Sequence, residues 1–284
     1  MTIINDETFD GDVEVESGGT LVTTVYYLSG NGNFTLAAGA TLEIGSPAGI
    51  TSDGSDGNIQ MTGTLSYSPG ANYVYSGIDP QVPGDGLPSS FTNLTIDNPD
   101  GLTLASTITV TGVLYLTDGI IHTGLDYALI VESTDENAIV GGSATSYVNG
   151  TLERGVDATN TNAYNFPIGN NPYTPVEVVF TSGGDDGTIT ATTTPEDHFD
   201  IENSEFDENY TVNRYWTLEA SGFVNPFEYD ATFNWVVTDE DGDFDWESAR
   251  VGKYDGAWSY PAVSEPAQTE TSTTITGQTS FSDF

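Results

Sequence analysis

A three-residue phrase returns along the first half of the chain: Gly19-Thr20-Leu21, Ala40-Thr41-Leu42 and Gly63-Thr64-Leu65. Its leucines recur with a nearly constant period, Leu104 falls about two such periods further on, and Leu114 and Leu129 follow at closer spacing. Nothing else here limits the fold so strongly. A repeat this short cannot bury its own apolar face and has to stack on its neighbours. Between the phrases lie short alternating runs, Val13–Ser17, Leu42–Ser46, Tyr73–Gly77, Leu94–Asn98 and Ile108–Gly112, broken by Gly, Asn and Asp. Strands this short, punctuated this often, mean an all-β fold.

The period predicts stacked rungs, with a right-handed parallel β-helix as first choice and a sandwich of meandering strands as second. Its inward positions should include Leu21, Val25, Leu36, Leu42, Ile44, Leu65, Leu94, Ile96, Leu104, Ile108, Val110, Leu114, Leu116, Ile130 and Ile139. The segment Ser76–Ser90 holds three prolines and three glycines. Proline offers no N–H to a ladder, so this segment should be a surface loop.

Character changes across Ser146–Phe180. Arg154 is the first cation of the chain, and all four tryptophans follow it. We place a domain boundary here, with a β-solenoid-like domain over 1–155 and a β-sandwich over 156–284. Strands are expected at Val176–Thr181, Thr188–Thr193, Arg214–Glu219, Tyr229–Val237, Ala249–Tyr254, Ala257–Tyr260 and Thr271–Thr276. Alternation over Tyr229–Val237 puts Tyr229, Ala231, Phe233 and Trp235 on one face. Asp255-Gly256 reads as a hairpin turn. Seven strands over about 110 residues suit an immunoglobulin-like antiparallel sandwich. One short helix is expected after Thr194, with Thr194 as N-cap, Pro195 at the first position, and Glu196 and Asp197 at the positive end of the dipole.

Several phrases of this half, Tyr147–Arg154 (YVNGTLER), Tyr164–Gly169 (YNFPIG), Tyr173–Thr181 (YTPVEVVFT), Val212–Gly222 (VNRYWTLEASG), Ala249–Pro261 (ARVGKYDGAWSYP) and Thr271–Phe284 (TSTTITGQTSFSDF), carry a resemblance. They resemble secreted surface proteins of Bacteroidetes-type bacteria, adhesin-like chains exported by the type IX route. The resemblance implies an extracellular or cell-surface location, with the export signal and sorting domain outside this sequence. It brings no catalytic motif.

Charge narrows the partners. Four cations stand against 43 acids, a net charge of −39. Such a surface repels phosphate, which argues against nucleic acid and anionic membranes. It suits high salt, divalent cations or a cationic partner. No apolar run is long enough to span a bilayer, so no membrane insertion is expected. With no cysteine, neither disulfides nor thiolate metal sites can form.

Reactive groups are sparse. His122 and His198 stand far apart in the chain and belong to no nucleophile motif. His122, after Ile120-Ile121, reads as a packed or surface strand residue. Asp185-Asp186 invites comparison with a glycosidase carboxylate pair, but neither histidine nor Arg-x-Lys accompanies it. A polysaccharide lyase or glycoside hydrolase is therefore the weakest of three readings. No cofactor is required by any motif. Asp239, Asp241, Asp243, Asp245 and Glu247 form the best ion candidate, because acids at every second position bring together the carboxylate oxygens calcium takes. The EF-hand pattern is absent, since Phe244 stands where its glycine belongs and Arg250 where its glutamate belongs. Ser52–Asn58 is a weaker version. The N-x-T sequons at Asn33, Asn93, Asn149 and Asn209 read as asparagines leading threonine-rich strands.

The expected function is a non-enzymatic extracellular structural protein, either an adhesin-like module or a self-assembling filament subunit. Its copies would join by strand addition through Thr2–Phe9 or Thr273–Phe284. A glycan- or protein-binding adhesin domain is the alternative.

Overall fold

A computed structural model describes residues 1–242, 244–264 and 268–284. The chain is all-β apart from four short 3-10 turns among those residues. It divides into two compact units, one of 1–133 with 137–149 and one of 134–136 with 150–284.

The first unit is a parallel β-solenoid. Strands Thr20–Val22, Thr41–Ile44, Asn72–Tyr75, Asn93–Asp97, Leu114–Asp118 and Ile139–Gly141 lie side by side in chain order. Their registers line up one apolar column, Leu21–Leu42–Tyr73–Leu94–Leu114–Ile139. A second column runs Ile44–Tyr75–Ile96–Leu116. Every member of both columns is buried. Each full burial contributes about 1.5–3 kcal/mol, and no rung could obtain it without the next.

Every turn visits three faces. The other two are made first by Glu7–Phe9, Leu28–Gly30 and Ile59–Met61 and by Val13–Val15, Phe34–Leu36 and Leu65–Tyr67. Further along they are Ser90–Phe91, Ile108–Val110 and Ala128–Val131, and Leu102–Thr103, Ile121–His122 and Val148–Asn149. Polar residues stack as regularly on the outside. Thr8 and Ser29 hydroxyls meet at 2.9 Å, and Asn93 Nδ2 donates to Asn72 Oδ1 at 2.7 Å. Asn93 thus belongs to a polar ladder.

The repeat differs from its simplest reading in one respect. Leu65, in the third Thr-Leu phrase, pairs with Phe34 on another face instead of joining the column of Leu21 and Leu42. The column passes from Leu42 directly to Tyr73, its longest step along the chain. That long turn accommodates the excursion from Gly45 to Asn58. Two glycines show how closely turns stack. A Cβ on Gly45 would lie 1.8 Å from Thr24 O, and one on Gly119, whose φ is +95°, 1.7 Å from Asn98 O.

Three inward expectations and one loop expectation need revision. Val25 is 60% exposed because Thr24, at φ +50°, turns the chain outward ahead of it. Ile130 faces partly outward while Leu129 and Val131 are buried, a one-residue offset that a two-residue period makes decisive. Leu65 is only half-buried, in the end strand of its sheet. The segment 76–90 is not wholly a surface loop. Gln81 is buried and bridges Leu102 in parallel, its own N–H donating to Gly101 O at 3.1 Å and its carbonyl accepting from Thr103 N at 2.9 Å.

The second unit has two antiparallel sheets. One holds Thr151–Asp157, Asp186–Thr194 and Tyr215–Ser221; the other holds Ala163–Phe166, Val176–Gly183, Phe227–Asn234 and Ser272–Gln278. Their buried faces meet through Trp216 on Phe233, ring centroids 5.3 Å apart, and through Arg154 over Tyr164 at 4.9 Å. The Asp255-Gly256 hairpin is present, with Lys253 opposite Ser259. Of the expected strand Ala249–Tyr254 only Lys253–Tyr254 forms, because Ala249 caps the 3-10 turn Trp246–Ser248. The helix expected after Thr194 does not form. Thr194 ends a strand, and only a 3-10 turn, Ile201–Asn203, follows. The potential first turn is drawn apart by tertiary bonds from Asp197 to Thr211 and from His198 to Asp283.

Both terminal segments are used within the chain. Thr2 bridges Val22, and Ser272–Gln278 pairs with Phe227–Asn234. Among the described residues no helix is long and apolar enough to cross a membrane.

Candidate functional site

The feature most suited to binding is a cavity of about 350 Å³ in the second unit. Its size lies at the lower end of small-ligand pockets. One wall comes from the strand faces: Trp216, Phe233 and Thr273, with Trp235 just past its strand and Phe284 at the chain end. Phe206, Tyr210 and Phe244 supply the facing walls from connecting segments, and Trp258 from the short hairpin.

All three indole N–H groups on the wall are already bonded. Trp216 Nε1 donates to Thr174 O at 3.0 Å, Trp235 Nε1 to Glu240 Oε1 at 2.7 Å, and Trp258 Nε1 to Asp200 O at 3.1 Å. Trp216 and Trp235 are each only 5% exposed.

Arg214 lies beside the cavity with its side chain fully closed to solvent. Its Nε donates to Asp239 Oδ2 at 2.7 Å and its Nη1 to Thr193 Oγ1 at 3.1 Å. Its Nη2 has no protein partner, nor has Thr273 Oγ1, although both atoms are buried. Leaving such atoms unsatisfied costs about 1–3 kcal/mol each.

The acid run expected to hold calcium forms the rim of this region. Asp239 neutralises Arg214. Asp241 accepts from Thr211 N at 2.9 Å and from Asn213 Nδ2 at 2.9 Å. These bonds, the Thr211 backbone N–H foremost, hold its carboxyl below the usual range. Asp245 caps the turn Trp246–Ser248, accepting from Glu247 N at 3.2 Å and Ser248 Oγ at 2.9 Å. Glu247 is exposed, and Asp243 lies outside the described residues. Among the described residues no three His, Asp or Glu side chains stand close enough to share a metal. In the weaker run, Asp53 and Asp56 each accept a backbone N–H of their own turn. Since Asp239, Asp241 and Asp245 already hold protein donors, melting midpoints in calcium and in chelator are expected to agree within about 1 °C. A rise of several degrees with calcium would show an ion held there.

The remaining candidates are bonded to their own fold. Asp185 accepts from the backbone N–H groups of Val224 and Asn225 at 3.1 and 3.3 Å, which ties a turn. His122 is part-buried in its strand, and burial pushes its imidazole down from the ordinary value. His198 lines the cavity, yet neither ring nitrogen is free. Nδ1 accepts from Asp200 N at 3.2 Å, which places the proton on Nε2, 3.2 Å from Asp283 Oδ2. Tyr215, Tyr254 and Trp258 enclose the ring. This histidine clamps the last strand residues and has no nitrogen left for a substrate.

Sequence reasoning missed this cavity. Its aromatic residues come from six separate segments between Phe206 and Phe284, and their spacing carries no motif. No protein-family model matches the chain, and no curated protein or solved structure matches it significantly.

Proposed function

We propose that the chain is a non-enzymatic extracellular structural protein, an adhesin-like module of the type IX-secreted surface class. The solenoid serves as a stiff spacer. The second unit, read as an immunoglobulin-like sandwich, presents the binding surface. The supporting observation is the unbroken apolar column of six strands, Leu21 to Ile139, since each rung is held by its neighbours along the whole stack. The placement of charge agrees with it. Arg154, Arg214 and Lys253 are buried and only Arg250 is exposed, paired with Glu205 at 3.4 Å, so the outer charge is almost entirely carboxylate. That surface keeps copies dispersed at low ionic strength.

Self-assembly would use strand edges rather than exchanged termini, because both terminal segments are engaged within the chain. Glu7–Phe9 and Val13–Val15 end their sheets, and Asp6, Glu7, Asp10, Asp12, Glu14 and Glu16 surround them. Repulsion there weakens as the Debye length falls from about 10 Å at 0.1 M to about 3 Å at 1 M salt. Negative-stain microscopy across that range should show end-to-end assemblies appearing as salt rises. Single particles at every concentration would remove the filament subunit from this reading, and turnover of a polysaccharide would remove its non-enzymatic part.

A second reading, a glycan-binding adhesin domain, is favoured by the cavity with its aromatic lining.

A further inference from the structure

We propose that the cavity of the second unit binds an uncharged, apolar ring compound, held by burial of its carbon surface. This goes beyond the glycan-binding reading, which assigns no occupant to the interior.

The walls a guest can reach are Ile201, Phe206, Tyr210, Phe244, Ala249 and Trp258, which all line the cavity and are all partly exposed. Tyr210 is the most open of them at 54%. Polar groups are withdrawn from this space. The Arg214 side chain is closed to solvent, Thr273 is 5% exposed, and the Trp258 indole N–H already donates to Asp200 O. His198 has both ring nitrogens engaged, and Ser248 Oγ donates to Asp245 Oδ2 at 2.9 Å. A polar guest would lose its water there without replacement, whereas an apolar guest gains by burial.

The rings are braced, so the space persists without a guest. Phe206 stands edge-on to Trp258 with centroids 6.3 Å apart, and Phe244 edge-on to Trp235 at 6.0 Å, an arrangement aromatic rings favour. An apolar cavity of about 150 Å³ stays dry and holds one benzene. At about 350 Å³ this one suits a guest of about two to three rings. Charge sets the remaining limit. Asp197 and Asp245 line the cavity, and Arg250, its exposed cation, pairs with Glu205 at 3.4 Å. On a chain of net charge −39, an anionic guest is repelled.

The full chain is titrated with phenylnaphthylamine, an uncharged dye that brightens in apolar surroundings, and with anilinonaphthalene sulfonate, the same skeleton carrying an anion. A saturable, one-to-one enhancement is expected with the neutral dye, and binding weaker by about tenfold or more with the sulfonate. Ala249→Phe is the discriminating variant. Its backbone lies at φ −58° and ψ 137°, which any side chain adopts, and the added ring would occupy the cavity. Dye affinity should drop by about tenfold or more, while the urea midpoint does not fall. Tyr210→Ser, at an open position, is the reserve variant and should weaken binding about two- to fivefold.

Three results overturn the proposal: no saturable change with the neutral dye, equal or tighter binding of the sulfonate, or affinity unaltered in a correctly folded Ala249→Phe. Should Ala249→Phe fail to fold, Tyr210→Ser decides, and unaltered affinity there overturns it. Displacement of the dye by galactose, maltose or cellobiose would give the cavity to a sugar, which overturns this proposal and preserves the glycan-binding reading. A glycan array read alongside separates the two, since a captured glycan with silent dye titrations would refute this site alone.

Discussion

Replacing Asn58 with leucine is expected to destabilise the first unit by at least about 4 kcal/mol. Asn58 is 4% exposed and makes four bonds to backbone at one corner of the solenoid. Its Oδ1 accepts from Gly45 N at 3.0 Å and Ser46 N at 2.8 Å, and its Nδ2 donates to Thr24 O at 3.0 Å and Tyr26 O at 2.6 Å. The excursion from Gly45 to Asn58 leaves these groups without ladder partners, and one amide side chain serves all four. Leucine has nearly the same shape and none of the bonds. Each orphaned buried group costs about 1–3 kcal/mol, and entry of a water molecule would recover part of that. Because whole domains are stable by only about 5–15 kcal/mol, the change would consume much of the margin. Urea unfolding followed by far-UV circular dichroism reads it as a fall in midpoint. Tryptophan fluorescence is the control, as all four tryptophans lie in the second unit. Asn58→Asp, which keeps the acceptors and loses both donors, should not restore the midpoint. An unchanged midpoint at unchanged slope for Asn58→Leu would show that the corner needs no amide. Gln81 and Asn98 repeat the device: Gln81 Nε2 donates to Ile44 O and Ser46 O, and Asn98 Nδ2 reaches Gln81 Oε1.

The second large effect is expected at Arg154, which is fully buried. Nη1 donates to Asn165 O at 2.9 Å, and Nη2 to Asp135 O at 3.0 Å and Glu136 O at 3.3 Å. The guanidinium lies over the Tyr164 and Phe166 rings, 4.9 and 5.8 Å from their centroids. Together with Tyr164 Oη, which donates to Thr134 O, these bonds explain why residues 134–136 belong to the second unit. Burial is the largest influence on this group and pushes its pKa down to about 10. Holding the charge there therefore costs about 3 kcal/mol. Arg154→Met removes that cost but strands three carbonyls and loses the ring contacts. Three orphaned acceptors and a desolvated cation–π contact of about 2 kcal/mol outweigh it. A net loss of about 3 kcal/mol is expected, read as a lower urea midpoint by tryptophan fluorescence. Arg154→Lys should recover less than half, because one ammonium cannot reach both sides of the site. Greater stability in Arg154→Met would mean that the charge is retained for something other than stability.

Much of the first unit was legible in its residues. Alternation and period identified Leu42, Ile44, Leu94, Ile96, Val110 and Leu114 as buried, because in a strand the side-chain period alone assigns the face. Two of the exceptions share a cause. Val25 and Leu65 depend on where a turn leaves one face for the next, and that is set by contacts with the rung alongside. The acid run over 239–247 was legible as a cluster of carboxylates. Its use as a set of braces for Arg214, Thr211 and a turn was not, since Arg214 and Thr211 lie in a distant part of the sequence.

What the residues determined alone was local and periodic. Short strands, glycine turns, a stacking repeat and a near-total excess of acid dictate an all-β chain with a solenoid first half, because each follows from neighbours a few residues apart. Tertiary structure alone decided where the scarce polar and cationic groups would be spent. Three of four cations went inside, an asparagine took four backbone groups at a corner, and side chains from six segments closed around one cavity. Those outcomes depend on desolvation and on distances between remote parts of the chain, and linear spacing carries neither.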